Sequence, residues 1–232
     1  MSIKTHVLAL LALLLLLPAV PALATCRDTV VLVHGNTGSP ADFQNTYDLL
    51  RQQGWSDAQI VAPSWGNKYC AACNDHNGSE ETPVRNAISN AIAGSCSGHI
   101  DVIGHSMGVT LAMREIDNLK VSSKVDVFIG IAGAVHGLWS CGVYPWNVAS
   151  STCSAWGLSV SNPFLQGLAG HRFGAKMYSM KSYSDEINCY SSCFVYGVHT
   201  STIPGENYSF TYPYGHYQLL WLTAADQVSL LQ

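Results

Sequence analysis

Apolar and polar positions along the chain alternate between two patterns. Short runs of continuous β-branched and apolar residues fall at 29–33, 59–62, 99–103, 125–132 and 175–180, and a weaker one at 206–211. Runs of this length without polar alternation predict strands covered on both faces. Between them lie stretches with apolar residues at helical spacing. One runs from about 41 to 53 and is closed by Gly54, and another spans 83–93 with Pro83 in its first turn and Gly94 after it. A third covers 106–119 with Met107, Leu111 and Met113 on one side, and a last covers 217–230 with Leu219, Leu220, Leu222 and Val228. Strands separated by helices predict an α/β fold with a mainly parallel sheet and helices on both faces. Ligands of such sheets bind at the carboxyl ends of the strands.

The first residues stand outside this pattern. Lys4 precedes an unbroken apolar block from Val7 to Leu17, Pro18 ends it, and Ala22-Leu23-Ala24 follows. This is the layout of a secretory signal peptide over residues 1–24, and the apolar block is short of the ~20 residues a membrane span needs. The expectation is therefore an exported chain with one domain over 25–232 and no transmembrane segment. All eight cysteines follow the expected cleavage point, and an even count in an exported chain points to disulfides. Cys189–Cys193 and Cys141–Cys153 are close enough to close local loops. Cys70-Ala-Ala-Cys73 with Asp75 and His76 can be read as a metal or redox site, but an oxidising compartment favours a disulfide role for its cysteines.

Charge adds little. The net formal charge is −4 and charged residues make up 11%, against ~25% in an average soluble protein. No basic patch points to nucleic acid.

The chemistry centres on Gly104-His105-Ser106-Met107-Gly108. It fits Gly-x-Ser-x-Gly and lies between a predicted strand and a predicted helix, the context in which the motif lifts a serine hydroxyl on a sharp turn. A serine hydroxyl needs a base, and in this arrangement the acid and then the histidine follow the serine in the chain. Asp185 lies just beyond the strand 175–180, and His216 opens the final helix after Gly215. His199 is the weaker alternative for the base. Glu186 and Asp126 are weaker alternatives for the acid, since Asp126 starts a strand rather than ending one. Asp226 follows both histidines and is excluded by order. Two backbone amides complete the expected site: that of Met107, next to the serine, and that of Asn36 in the turn His34-Gly35-Asn36 after the first strand. His34 itself is expected to be structural.

These segments resemble the lipase class 2 family. The resemblance rests on Val33-His34-Gly35-Asn36, on the block from Asp101 to Thr110 around Ser106, and on Phe128-Ile129-Gly130-Ile131-Ala132-Gly133-Ala134. It continues in Ser184-Asp185-Glu186-Ile187, Thr202-Ile203-Pro204-Gly205 and Gly215-His216. It implies an α/β-hydrolase fold, a triad of Ser106, Asp185 and His216, and oxyanion donors at Asn36 and Met107. It also implies hydrolysis of carboxylic esters, often acylglycerols, without metal or organic cofactor; the further expectation is a monomer that meets its ester or lipid substrate at a lipid–water interface or in solution. Acyl transfer or thioester cleavage by the same triad is the alternative, and a non-catalytic binding protein on this fold is a more distant one. The segments 67–81 and 138–156 are expected as loops beside the site. In the second, Trp139, Tyr144, Trp146 and Trp156 form either an acyl-chain wall or an ordinary disulfide-stapled cap.

Overall fold

The computed structural model describes residues 26–232, so the expected signal peptide lies outside the described residues. Six strands form one parallel sheet: β1 (Thr29–Val33), β2 (Ile60–Val61), β3 (Ile100–His105), β4 (Val125–Ile131), β7 (Lys176–Ser182) and β10 (Tyr208–Tyr212). Two small pairs stand apart from it, β5 (Leu138–Val143) with β6 (Ser159–Val160) and β8 (Phe194–Val195) with β9 (Val198–His199). The order across the large sheet is β10-β7-β4-β3-β1-β2, with every neighbouring pair parallel.

Strand alternation explains why both faces are covered. On β1, Val31 and Val33 join the core beneath α2 (Glu81–Gly94), α3 (Met107–Leu119) and α4 (Pro163–Leu168). Val30 and Leu32 join the opposite core beneath α1 (Gln44–Gln52), α5 (His216–Leu222) and α6 (Ala224–Ser229). Each fully buried side chain of this size stabilises the fold by ~1.5–3 kcal/mol, and all five residues of β1 are buried.

The expected elements are present with three refinements. The helix expected over 41–53 begins as a 3-10 turn, Pro40–Phe43, before α1. The last helix breaks at Thr223, whose hydroxyl donates to the Leu219 carbonyl at 2.6 Å while Gln227 Nε2 donates to that of Leu220 at 2.8 Å. Side chains thus satisfy the helix carbonyls where the backbone stops doing so. The segment 138–156, expected as a loop, carries β5 instead.

The cysteines pair as Cys26–Cys96, Cys70–Cys73, Cys141–Cys153 and Cys189–Cys193. No helix among the described residues is long and apolar enough to cross a membrane.

Crossing from β2 back over β1 to β3 makes a topological switch point between β1 and β3. The turns leaving these two strands therefore lie side by side, and they are the ones that carry Asn36 and Ser106. The amino-terminal ends of the strands have a different feature. Asp101 lines a hollow of about 320 Å3 together with Asp28, Asp126, Arg27 and Lys176. Burial, reinforced by Asp28 and Asp126, pushes the Asp101 carboxyl up to about 7. An unfolded aspartate titrates near ~3.9, so the folded state holds this proton more tightly. The resulting stabilisation is complete below that value and disappears as pH rises through 7. Asp101→Asn cannot ionise, and its amide oxygen can still accept the Val127 N–H that Asp101 Oδ1 accepts at 3.1 Å. The variant is expected to be more stable than the parent by about 2–4 kcal/mol at pH 8 and nearly equal to it at pH 4. Denaturant melts at the two pH values measure this; equal gains at both would contradict it.

Candidate active site

The turn between β3 and α3 is forced by packing. Ser106 sits at φ 54°, ψ −128°, outside the regions a non-glycine residue prefers. A Cβ at Gly104 would lie 2.7 Å from the Val109 Cα, and one at Gly108 would lie 2.3 Å from the carbonyl oxygens of both Val33 and His34. Only glycine lets α3 approach β1 this closely. The Ser106 amide donates to the Ile131 carbonyl at 2.8 Å, which ties the turn to β4.

Asp185 lies beyond the end of β7 and is buried. Its Oδ1 accepts the amides of Ile187 at 3.0 Å and Asn188 at 2.8 Å. Both its oxygens lie 2.9 Å from His216 Nδ1. A carboxylate only accepts, so Nδ1 carries a proton, which in the neutral tautomer leaves the lone pair on Nε2. No hydrogen bond joins Ser106 Oγ to His216 Nε2. The His216 ring lies 4.9 Å, centroid to centroid, from that of His105, so the imidazole stands beside the turn that carries the hydroxyl. His105 Nε2 donates to the His216 carbonyl at 3.2 Å, which ties the two turns together. Its Nδ1 is buried without a partner among the described residues, and burial holds this ring neutral, well below the usual histidine range.

Asn36 and Met107 flank the same turn. Neither backbone amide donates to a protein acceptor among the described residues. Gly35 packs against the serine, since a Cβ there would lie 3.0 Å from Ser106 Cβ. Met107 opens a helix of 13 residues, whose N-terminus favours negative charge.

The weaker alternatives have other partners. His199 Nε2 donates to the Ser182 carbonyl at 3.2 Å, and its Nδ1 accepts the Ser201 amide. Asp126 pairs with His99 at 2.7 Å. Asp226 accepts the Tyr212 hydroxyl at 2.8 Å. Glu186 accepts the His216 backbone N–H at 2.9 Å, so it caps the start of α5. Residue order could not reveal that role, because it depends on the approach of two distant loops. His34 is buried, stacked on Trp65, and accepts from Lys68 Nζ at 2.9 Å. Burial lowers its pKa to about 4, so it is neutral near pH 7.

The metal reading of the Cys70–His76 stretch fails on its donors. Cys70 and Cys73 are bonded to each other, and both ring nitrogens of His76 are engaged. Cys189, Cys193 and His199 also converge, but their two sulfurs are joined. The tryptophans of 138–156 form no common wall. Trp139 donates to the Phe194 carbonyl at 2.8 Å, Trp156 lies under the Arg114 guanidinium, and Trp146 is exposed.

A sharp serine turn after β3 and a hydrogen-bonded Asp–His pair beyond later strands, on a parallel sheet of this order, belong to the α/β-hydrolase fold. The chain belongs to the lipase class 2 family, whose model, described as "Lipase (class 2)", matches residues 27–229. Family and fold are those of ester hydrolases. Among solved structures the chain is similar to lipase B of Aspergillus fumigatus, with 20% identity and TM-score 0.61. That match covers 88% of this chain and 52% of the fungal one, so the chain spans about half of that lipase. It is also similar to the mature lipase BlEst2 of Bacillus licheniformis, at 11% identity and TM-score 0.61 over 92% and 95% of the two chains. The esterase Pf2001 of Pyrococcus furiosus matches at 16% identity and TM-score 0.55 over 90% and 82%. At these identities the likeness concerns the fold alone.

Proposed function

We propose that the protein is a secreted serine hydrolase that cleaves carboxylic esters, among them acylglycerols, with Ser106 as nucleophile, His216 as base and Asp185 as its orienting acid. The observation that carries this reading is the Asp185–His216 hydrogen bond, which selects the tautomer of the neutral imidazole that has Nε2 as its basic nitrogen, beside the Ser106 turn. Ser106 Oγ attacks the ester carbonyl while its proton passes to His216 Nε2. The carbonyl oxygen becomes an oxyanion facing the Asn36 and Met107 amides. Collapse breaks the bond to the alcohol, which leaves with the proton from Nε2. Water, giving a proton to the same nitrogen, then attacks the acyl-enzyme and releases the acid. Asp185 stabilises the imidazolium without taking its proton.

Export is supported by the leader pattern of residues 1–24 and by four disulfides after it, which suit an oxidising compartment. A lipid–water interface is supported by the segment that bears Asp185, which also exposes Tyr183, Tyr190, Phe194 and Tyr196. The three tyrosine rings, each with an apolar body and a polar tip, and the apolar Phe194 ring suit such a boundary. A fluorophosphonate probe is expected to label the folded protein once, on the peptide containing Ser106. Turnover of an emulsified long-chain triglyceride is expected to exceed that of the same ester below its solubility limit. Absence of labelling would end the serine-hydrolase reading, and turnover confined to short soluble esters would end the lipid one.

A further inference from the structure

The stretch from Asn67 to His76, left unexplained by the catalytic reading, reaches both sides of the oxyanion site. Asn74 is fully buried, and its whole amide is engaged. Its Oδ1 accepts the Asn67 amide at 2.6 Å, and its Nδ2 donates to the Asn67 carbonyl at 3.0 Å and to Asn36 Oδ1 at 2.6 Å. Asn36 Nδ2 in turn donates to the Ala71 carbonyl at 2.9 Å, inside the loop closed by Cys70–Cys73. The Asn36 side chain is therefore gripped at both its oxygen and its nitrogen by this one segment.

The grip meets a local need. Thr37, the next residue, sits at φ 57°, a left-handed conformation that a β-branched residue resists. A turn strained in this way holds one peptide orientation only if its surroundings impose it.

Two residues further on, the same segment is fastened to the helix that starts with Met107. His76 is buried, and burial lowers its pKa to about 3, so it is neutral. Its Nδ1–H donates to the Trp156 carbonyl at 2.8 Å, and its Nε2 accepts from the Thr110 hydroxyl at 2.7 Å in the first turn of α3. The outer side is tied down by Thr152, whose hydroxyl reaches the carbonyls of both Ala71 and Asn74. Thr152 adjoins Cys153 of the Cys141–Cys153 bridge.

We propose that the Asn67–His76 segment is the brace that fixes the Asn36 amide relative to the Met107 amide, and that Asn74 is its positioning residue. Asn74 touches no reacting atom; it acts through Asn36. This rests on the oxyanion assignment made above. A pair of amides stabilises the transition state only if both meet the same oxygen, and losing one such donor typically lowers kcat by ~10²–10³-fold. Misaligning one by loss of its side-chain anchor gives part of that loss.

Asn74→Ala is expected to lower kcat on an oxygen ester by about 10–100-fold, with KM changed less than about threefold. The matching thiono ester, whose larger and more weakly hydrogen-bonding sulfur gains less from the amides, should lose far less. The ratio of oxygen-ester to thiono-ester kcat therefore falls. Asn36→Ala removes the same bond from its other end while retaining the backbone N–H. It should produce the same fall, and the double variant should be no worse than the poorer single one. This second variant also serves if Asn74→Ala does not fold. A merely structural role would lower both substrates alike or leave the ratio unchanged, and either result overturns the brace. If turnover by the parent protein survives Ser106→Ala, the serine reading itself fails and the brace falls with it. If turnover is serine-dependent and the ratio holds, the brace alone is wrong.

Discussion

Ser106→Ala is expected to reduce kcat on a soluble p-nitrophenyl ester by about 10⁶-fold, the order of loss seen when a triad nucleophile is removed. Folding should be almost unaffected. Ser106 Oγ makes no hydrogen bond among the described residues, so its removal leaves no buried partner there unsatisfied. The strain at φ 54° stays in the alanine variant because alanine also carries a Cβ. Glycine relieves it, so Ser106→Gly should be equally inactive but more stable than Ser106→Ala by ~1 kcal/mol. Steady-state kinetics and urea melts on the two variants read both halves. Residual turnover near the parent rate in either variant would end the nucleophile assignment.

Gly108→Ala is expected to be among the most damaging single-methyl changes at the described residues. The added Cβ would lie 2.3 Å from two backbone carbonyl oxygens, those of Val33 and His34, and neither belongs to a side chain that can rotate away. Relief requires α3 to move off β1, which opens the core beneath Val33, Met107 and Leu111. The expected cost exceeds ~3 kcal/mol, at the upper end of overpacking effects, with loss of soluble protein or of cooperative unfolding. Gly167→Ala is the control. It lies in α4 with open space around its Cβ position and should be neutral or stabilising by ~0.5–1 kcal/mol. Thermal melts of both compare a helical glycine required by contact with one that is not. A Gly108→Ala protein that melts like the parent would mean that the close approach of α3 to β1 is not needed.

These two expectations differ in how far sequence alone supports them. Gly-x-Ser-x-Gly points to Ser106 as the proposed nucleophile because strand, turn and helix are local patterns, and the motif carries its own geometry. That Gly108 tolerates no Cβ depends on where β1 passes, 75 residues upstream by Val33, and no local pattern states it. The acid shows the same divide. Residue order and strand ends select Asp185, yet its neighbour Glu186 has the same charge. The two diverge only where the chain returns: His216 offers its ring to Asp185 and its backbone N–H to Glu186.

By itself the sequence determined the α/β alternation, the sharp Gly-x-Ser-x-Gly turn between a strand and a helix, the order along the chain of the serine, acid and histidine proposed for the site, and an even set of cysteines. These are properties of short segments, and hydrophobic periodicity, glycine placement and order along the chain are enough to encode them. Only the tertiary structure decided that Trp139 and Trp156 point to different surroundings, that Cys70 pairs with Cys73, and that Asn74 and His76 connect the two amide-bearing turns. Cys70 and Cys73 are only 3 positions apart, but the contacts of Asn74 and His76 with Asn36, Thr110 and Trp156 join groups 34 to 80 positions apart. The direction of a buried hydrogen bond between such residues is fixed by packing around both partners at once, which no single stretch of sequence contains.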